Sequence, residues 1–376
     1  MVAAASVVVA VGTTTGMLSA LDDRGGSDEA GPAFVSGSPS PNLPPVVRSA
    51  SESAVPSDPS ASSSPSVKAS ASPSPKKASP SPPKARAAAT RLYRHPASQV
   101  LDWVQDNPRD WRADVIESRI ADRPAAVWFA DYAPATITSR VRAVTTGGAA
   151  QDRVPVVVAY AIPDRDCGGA SQGGAPDLGA YDAWIDRFAA GLGSGEVVVV
   201  LEPDSIAQSD CLSAAQKADR FDSLARAGRV LKAANPKARV YYDAGHSGWH
   251  PAAKQASLLK QAGAASAASS DGIFSNVSNF HTTSAEITYD RQVLAALGGP
   301  SSLGAVIDTS RNGNGAPPDG EWCDPAGRKI GRAPTLNTGE PKVDGYLWVK
   351  LPGESDGCKG TPGTFSPSYA YDLASP

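Results

Sequence analysis

The chain has 376 residues, 41% of them hydrophobic but only 6% aromatic, and a formal net charge of -3. Its apolar residues are spread out, with no uninterrupted run near the roughly 18 that a membrane-spanning helix needs, which excludes a multi-pass membrane protein. A nearly neutral balance offers no field for holding a polyanion, so nucleic acid is not an expected partner.

Residues 2–11 (VAAASVVVAV) form a short apolar run of signal-peptide length, without a preceding basic residue. Residues 1–35 are therefore expected to be an export signal or a single N-terminal anchor with a short tail; the plainer alternative is an unstructured apolar tail. Residues 36–90 carry 12 Pro and 17 Ser, with no aromatic residue and no Cys. Such a stretch cannot bury a core and reads as a disordered Pro/Ser-rich linker that is solvated and extended. The 286 residues from Arg91 onward contain no second linker and amount to one α/β domain.

Within that domain short β-branched runs alternate with Ala-rich segments, the pattern of a parallel sheet covered by helices. Strands are predicted at 126–129, 154–160, 197–201, 240–242, 272–275, 305–307 and 346–349. Helices are predicted at 137–144, 178–192, 214–234, 253–262 and 285–297. The helices from Leu178 and Ala214 place apolar residues at three- and four-residue spacing, as a cover helix should. Four cysteines with no CxxC pair permit three connectivities. Cys167 with Cys211 and Cys323 with Cys358 is the expected choice, because each bond ties two neighbouring loops in an oxidising compartment. Four buried thiols in a cytosolic enzyme are the alternative.

Almost every strand is followed at once by polar side chains: Asp164-Arg165-Asp166, Glu202-Pro203-Asp204, Asp243 with His246, Asn276 with Asn279, Asp308 with Arg311, and Lys350 with Glu354 and Asp356. Loops after the C-terminal strand ends build the site of a (β/α) barrel, and six clusters spread over the whole domain suit a ring better than one switch point. Several carboxylates on one face, without an obvious metal set, suit acid/base work on a neutral substrate. Glycosidic hydrolysis needs one proton donor and one group that activates water or attacks carbon. Asp204 is the donor candidate, with Asp166 on the adjacent strand raising its pKa by like-charge repulsion. Taken alone, the Glu-Pro-Asp tripeptide reads equally well as a helix N-cap.

The segments VVVAYAIPDRDCGG (156–169), VVVVLEPDSIA (197–207), YYDAGHSGWH (241–250), VIDTSRNGNG (306–315), EWCDP (321–325) and LWVKLPGESDGC (347–358) together resemble glycoside hydrolase family 6. The resemblance spans residues 91–376 and implies a catalytic domain with a distorted (β/α) barrel of about seven parallel strands. It further implies a cellulase that cleaves β-1,4-glucosidic bonds with inversion. Carried over by motif, Asp204 is implied as the general acid, Asp166 as the aspartate that raises its pKa and helps order the attacking water, and Asp356 as the base. Tyr160 would lie against the distorted sugar. Ser171 would hold the nucleophilic water from the loop 168–174, where glycine at four of seven positions suits a mobile lid. Trp128, Trp249 and Trp322 are implied as sugar platforms, and His246, Asn279, Lys350 and Glu354 as hydroxyl-binding groups. Trp103, Trp111, Trp184 and Trp348 are expected in the core.

Two other readings of these motifs fall away. His246 and His250 stand four apart, but the intervening SGW lacks the glutamate of HExxH, and Gly245 opposes a helix. The segment 308–311 lacks the order of a phosphate loop, and Asp308 is expected to pair with Arg311 at the base of the cleft. The function expected is thus a secreted, monomeric endo-β-1,4-glucanase acting on a glucan polysaccharide, without cofactor or metal. The endo assignment rests on the compact loops 350–358 and 167–181, since exo-acting relatives enclose the chain with long insertions. A cellobiohydrolase, a mixed-linkage glucanase and a non-catalytic glucan-binding module are the alternatives. Residues 1–90 hold a single aromatic, Phe34, and so no Trp-lined binding module.

Overall fold

The computed structural model describes residues 91–376, so the expected signal-like segment and linker lie outside the described residues. Seven strands, β1 (Val127–Phe129), β2 (Val156–Ala159), β3 (Val197–Leu201), β4 (Ala238–Asp243), β5 (Gly272–Ser275), β6 (Gly304–Asp308) and β7 (Val343–Leu347), pair in chain order, every pair parallel. The sheet is curled into an incomplete barrel. Between β7 and β1 the backbone joins through one bond, Ala126 N–H to Trp348 O at 2.9 Å, and the indole of Trp128 donates to Val349 O at 2.7 Å.

The valine-rich strands are buried on both faces, which is why they read as continuous apolar runs rather than as alternation. Val156, Val158, Val198, Val200, Tyr241, Phe274, Val306 and Leu347 fill the barrel interior. The intervening Val157, Ala159, Val199, Leu201, Val240, Tyr242, Ile273 and Ala305 pack outward. They meet the five helices α3 (Ile137–Ala150), α4 (Leu178–Ala189), α5 (Ala214–Ala234), α6 (Ala252–Gln261) and α7 (Thr283–Leu297). α5 begins with a full capping box, the Ser213 hydroxyl accepting from Gln216 N and the Gln216 side chain reaching back. Between β5 and β6 the backbones run so close that a Cβ on Gly272, at φ +146°, would lie 1.8 Å from Gly304 O.

Besides the short 3-10 turn Arg165–Gly168, four elements were not anticipated: α1 (Gln99–Asp106), α2 (Ala113–Ile116), the π-type turn Glu117–Ala121 that follows it, and α8 (Pro367–Ala374). They cover the β7–β1 side, where no crossover helix exists, through Val100, Ile116, Ile120, Trp348, Leu351 and Ala370. The last strand also ends earlier than the apolar run at 346–349 suggested. Trp348 and Val349 spend their carbonyls on the join to β1 instead of extending the ladder. Trp184 and Trp348 are core residues as expected, whereas Trp111 is 72% exposed and Trp103 only half-buried. Both disulfides have the expected pairing, with Cα separations of 5.9 Å for Cys167–Cys211 and 5.8 Å for Cys323–Cys358.

One buried acidic pair sets a pH dependence of stability. Glu286 and Asp290, one turn apart on α7, are both fully buried; Ser247 N–H donates to Glu286 Oε1 and the Ser275 hydroxyl to Asp290 Oδ2, each at 3.0 Å. Glu286 Oε2 and Asp290 Oδ1 have no hydrogen-bond partner. Burial, and then the charge of Glu286, raise the Asp290 carboxyl well above its ordinary value, and burial raises Glu286. A raised folded-state value means stability is fully present below the unfolded carboxyl range and is lost as pH rises through the folded value. Asp290→Asn is therefore expected to flatten the fall in stability on the alkaline side while changing little at low pH. Urea midpoints measured across pH at constant salt would check this, and an unchanged pH slope would contradict it.

Candidate active site

The C-terminal ends of the strands open onto a cleft of about 1190 Å³. All twelve residues picked out above as catalytic or sugar-binding line it: Tyr160, Asp166 and Ser171 after β2, Asp204 after β3, His246 and Trp249 after β4, Asn279 after β5, Trp322, Lys350, Glu354 and Asp356 around β7, and Trp128 on β1. The same cleft also takes in residues from the unanticipated N-terminal part, among them His95, Gln99 and Arg123.

Backbone geometry at the strand exits is unusual. Of the ten non-glycine residues with positive φ among those described, seven lie just after β2, β3 and β5: Asp164, Asp166, Cys167, Glu202, Asp204, Asn276 and Ser278. Left-handed backbone costs energy and persists only where surroundings over-determine it. Here those surroundings are visible. Glu202 is fully buried and accepts Ala161 N–H on both oxygens (3.0 and 2.9 Å) and Ile162 N–H at 3.0 Å, stapling the end of β2 to the end of β3. Burial pushes its carboxyl up to about 7, with those hydrogen bonds acting in the opposite direction. Arg165 stacks its guanidinium 4.3 Å over the Tyr160 ring and donates to Ser171 O (2.8 Å), Ala130 O (2.7 Å) and Tyr160 O, holding the following loop against the cleft wall.

The Asp204 side chain is recessed at the cleft floor, only partly reached by solvent. Burial, then the charge of Asp243, then that of Asp166, all raise its carboxyl well above the ordinary range. Asp243 is itself buried and accepts Ile206 N–H (3.1 Å), Ala207 N–H (2.8 Å) and Gly245 N–H (2.9 Å), so it stays behind Asp204. Across the cleft runs a polar row. Ser171 N–H and hydroxyl both donate to Asp166 Oδ2, at 2.8 and 3.1 Å, and the Ser171 hydroxyl shares a 2.7 Å bond with the Tyr160 hydroxyl. Burial, then the charge of Asp204, raise the Tyr160 phenol, and its ring meets Trp128 edge-on at 5.3 Å.

Asp356, in the segment after β7, lines the cleft in a different setting. Its Oδ2 accepts from the fully buried Arg311 at 2.6 Å, and its Oδ1 lies 3.3 Å from Lys350 Nζ. The segment carrying it is wrapped around Asp324, whose carboxylate accepts Asp356 N–H (2.7 Å), Cys358 N–H (3.0 Å), Lys359 N–H (2.8 Å) and the Ser355 hydroxyl (2.6 Å). The expected Asp308–Arg311 ion pair is thus not formed. Asp308 spends its oxygens on the backbone N–H groups of Ser278 (3.2 Å), Ser310 (2.9 Å) and Lys350 (3.0 Å), and Arg311 turns to Asp356.

The sugar-binding candidates split by setting. Trp322 stands 58% exposed, ready to present a face, while Trp128 and Trp249 are half-buried. His246 stacks on His281 at 4.3 Å and accepts Gly248 N–H on Nδ1 at 3.2 Å. Burial, and then His281 and His250, lower it to about 3, so it is neutral and free to serve as a hydrogen-bonding group. His250 turns away to Ala207 O at 3.0 Å, so the two histidines do not converge. Burial pushes Glu354 up to about 7 against the pull of Lys350 and Arg311, and its Oε1 accepts from Gln99 Nε2 at 3.3 Å. Of the supporting residues, Arg165 and Asp243 stood in the strand-exit clusters without an assigned role, Arg311 was expected on Asp308, and Gln99 was missed. The amphipathic start of α1 after Ser98 is a sequence signal that could have found Gln99.

An incomplete parallel barrel with carboxyl groups and aromatic faces along one cleft suits the hydrolysis of a sugar substrate. The family model of glycosyl hydrolases family 6 matches residues 83–372, and the chain belongs to that family: it is a glycoside hydrolase. It is 54% identical over 284 residues to Endoglucanase 1 of Streptomyces sp. (strain KSM-9), covering 75% of this chain and 77% of that protein. It is 49% identical over 291 residues to Endoglucanase A of Thermobispora bispora, covering 77% of this chain and 63% of that protein. Among solved structures, the endoglucanase Cel6 from Mycobacterium tuberculosis in complex with methyl-cellobiosyl-4-deoxy-4-thio-β-D-cellobioside superposes with a TM-score of 0.70 at 38% identity, covering 76% of this chain and 96% of that one.

Proposed function

We propose that the protein is an endo-β-1,4-glucanase that hydrolyses internal bonds of a cellulose-type glucan with inversion, Asp204 supplying the proton. The observation that carries this reading is the recessed Asp204 carboxyl, raised by burial, Asp243 and Asp166 and facing a cleft with aromatic faces. A carboxyl kept protonated can deliver its proton to the glycosidic oxygen as the bond to carbon lengthens. On the other side of the sugar ring a water must attack. The Asp166–Ser171–Tyr160 row supplies acceptors and donors for ordering that water and the distorted sugar. Asp356, held by Arg311 and Lys350, is the carboxylate assigned to take up its proton, directly or through water. Trp128, Trp249 and Trp322 would stack on pyranose C–H faces, and His246, Asn279, Lys350 and Glu354 would read hydroxyl edges.

The endo mode is supported by the compact loop ending at the Cys323–Cys358 disulfide and by the endoglucanase names of both relatives. Two disulfides and the Pro/Ser-rich segment support export to an oxidising compartment. The test follows viscosity and reducing ends together on carboxymethylcellulose, with the anomer of the first product read by NMR. A steep viscosity fall with few new ends and an α-anomer is the expected result. Slow viscosity loss with cellobiose release would replace endo by exo action, and a β-anomer would overturn inversion.

A further inference from the structure

Only two large hydrophobic side chains stand exposed among the described residues: Trp322 at 58%, which lines the cleft, and Trp111 at 72%, which does not. We propose that Trp111 is the platform of a second glucan-binding surface outside the cleft, taking a strand of the same neutral β-1,4-linked polymer. The inference rests on the glucanase reading above.

The Trp111 ring is braced rather than loose. Tyr371 meets it edge-on with centroids 4.5 Å apart and planes at 70°, and the Arg112 guanidinium lies 5.9 Å from its centroid. Arg112 is clamped in turn by Asp110, through Nε–H at 2.9 Å and a terminal N–H at 2.7 Å. A braced aromatic face gives up little rotamer freedom on binding. Its charged neighbours cancel each other as a bidentate pair, which favours a neutral partner over a charged one. The turn just before Trp111 forms a shallow depression lined by Asp106, Asn107, Arg109 and the same Asp110 that holds Arg112, groups suited to hydroxyl edges. Pyranose rings offer a C–H face and a rim of hydroxyls, so this combination fits them.

Packing contacts also link this region to the cleft margin. Arg112 lies 5.4 Å from the centroid of Trp103, and Trp103 meets Phe365 at 6.0 Å. Phe365 N–H donates to Gln99 Oε1 at 3.0 Å, and Gln99 lines the cleft, where it donates to Glu354. These half-buried rings fix Trp111 and the cleft margin to one packed layer.

Affinity electrophoresis of the full chain in gels containing hydroxyethylcellulose, a neutral polymer, tests this in an Asp204→Asn background that leaves the gel undigested. Adding Trp111→Ala is expected to weaken retardation by about 3- to 10-fold in apparent Kd, the scale of one lost aromatic contact. Trp111→Tyr should restore most of it. With Asp204 intact, Trp111→Ala should raise KM on the polymer by a similar factor while kcat and KM on cellotetraose stay unchanged. Equal retardation with and without Trp111, while the wild type hydrolyses both substrates, would overturn the surface alone. A concentration-dependent mass abolished by Trp111→Ala would overturn it in favour of a second copy of the chain. A wild type inactive on both substrates would overturn the glucanase reading and this inference with it.

Discussion

Asp204→Asn is expected to lower kcat on carboxymethylcellulose by about 10²–10⁴-fold, the usual span for loss of a positioned proton donor. Asparagine keeps the shape and the left-handed backbone that Asp204 adopts at φ 69°, a region that Asn tolerates as well as Asp, so the loss would be chemical and not conformational. The discriminating measurement uses an aryl cellobioside with a strongly acidic phenol, which departs without a proton. The variant should retain most of its activity on that substrate. An equal loss on both substrates would remove Asp204 from the role of acid. The pH profile follows with a definite sign. Because the carboxyl is raised and the protonated form is the active one, wild-type kcat should fall as pH rises through its value, and the variant should lack that alkaline limb.

The largest expected loss of stability comes from Arg311→Met, at about 3–5 kcal/mol, the cost of removing one partner of a buried pair. Arg311 is wholly buried, donates to Asp356 Oδ2, the Tyr369 hydroxyl (3.3 Å) and Ser278 O, and lies 4.4 Å over the Phe280 ring. Methionine refills the volume but leaves the Ser278 carbonyl without this donor and Asp356 with the Asp324 N–H (3.2 Å) and a single cation, Lys350. Arg311→Lys should recover only part of the loss, because one ammonium cannot span the three acceptors that the guanidinium fork reaches. Urea unfolding at fixed pH measures both; a loss below about 1 kcal/mol for the methionine variant would show that Lys350 suffices.

The legibility of this protein in its sequence follows the physics of each part. β3, β5 and α5 were readable to the residue, because continuous β-branched runs and a capped amphipathic repeat are local signals. The polar residues that gather in the cleft at the strand exits were readable too, since a strand followed by Asp or Glu leaves few places for the charge except the open end of the barrel. What could not be read was partnership. Nothing local says whether Arg311 turns to Asp308, three residues away, or to Asp356, 45 residues away; burial and the wrapping of 355–359 around Asp324 decide it. Trp111 was misplaced for a similar reason. A tryptophan near helical segments looks like core until the neighbouring Trp103, Phe365 and Tyr371 are seen to occupy the inner positions.

The gap between β7 and β1 carries a mechanical consequence. With one backbone bond and one indole bond across it, the barrel is a hoop with a single stitched joint. That joint lies in the cleft: Ala126 and Trp128 line one side, Lys350 and Leu351 the other. A glucan strand laid over it would touch both margins and serve as the missing stave, so that gripping the substrate and bracing the hoop become one act. The enzyme would then be stiffest when loaded, and cello-oligosaccharide should protect the amides of β1 and β7 from hydrogen exchange more than those of β4.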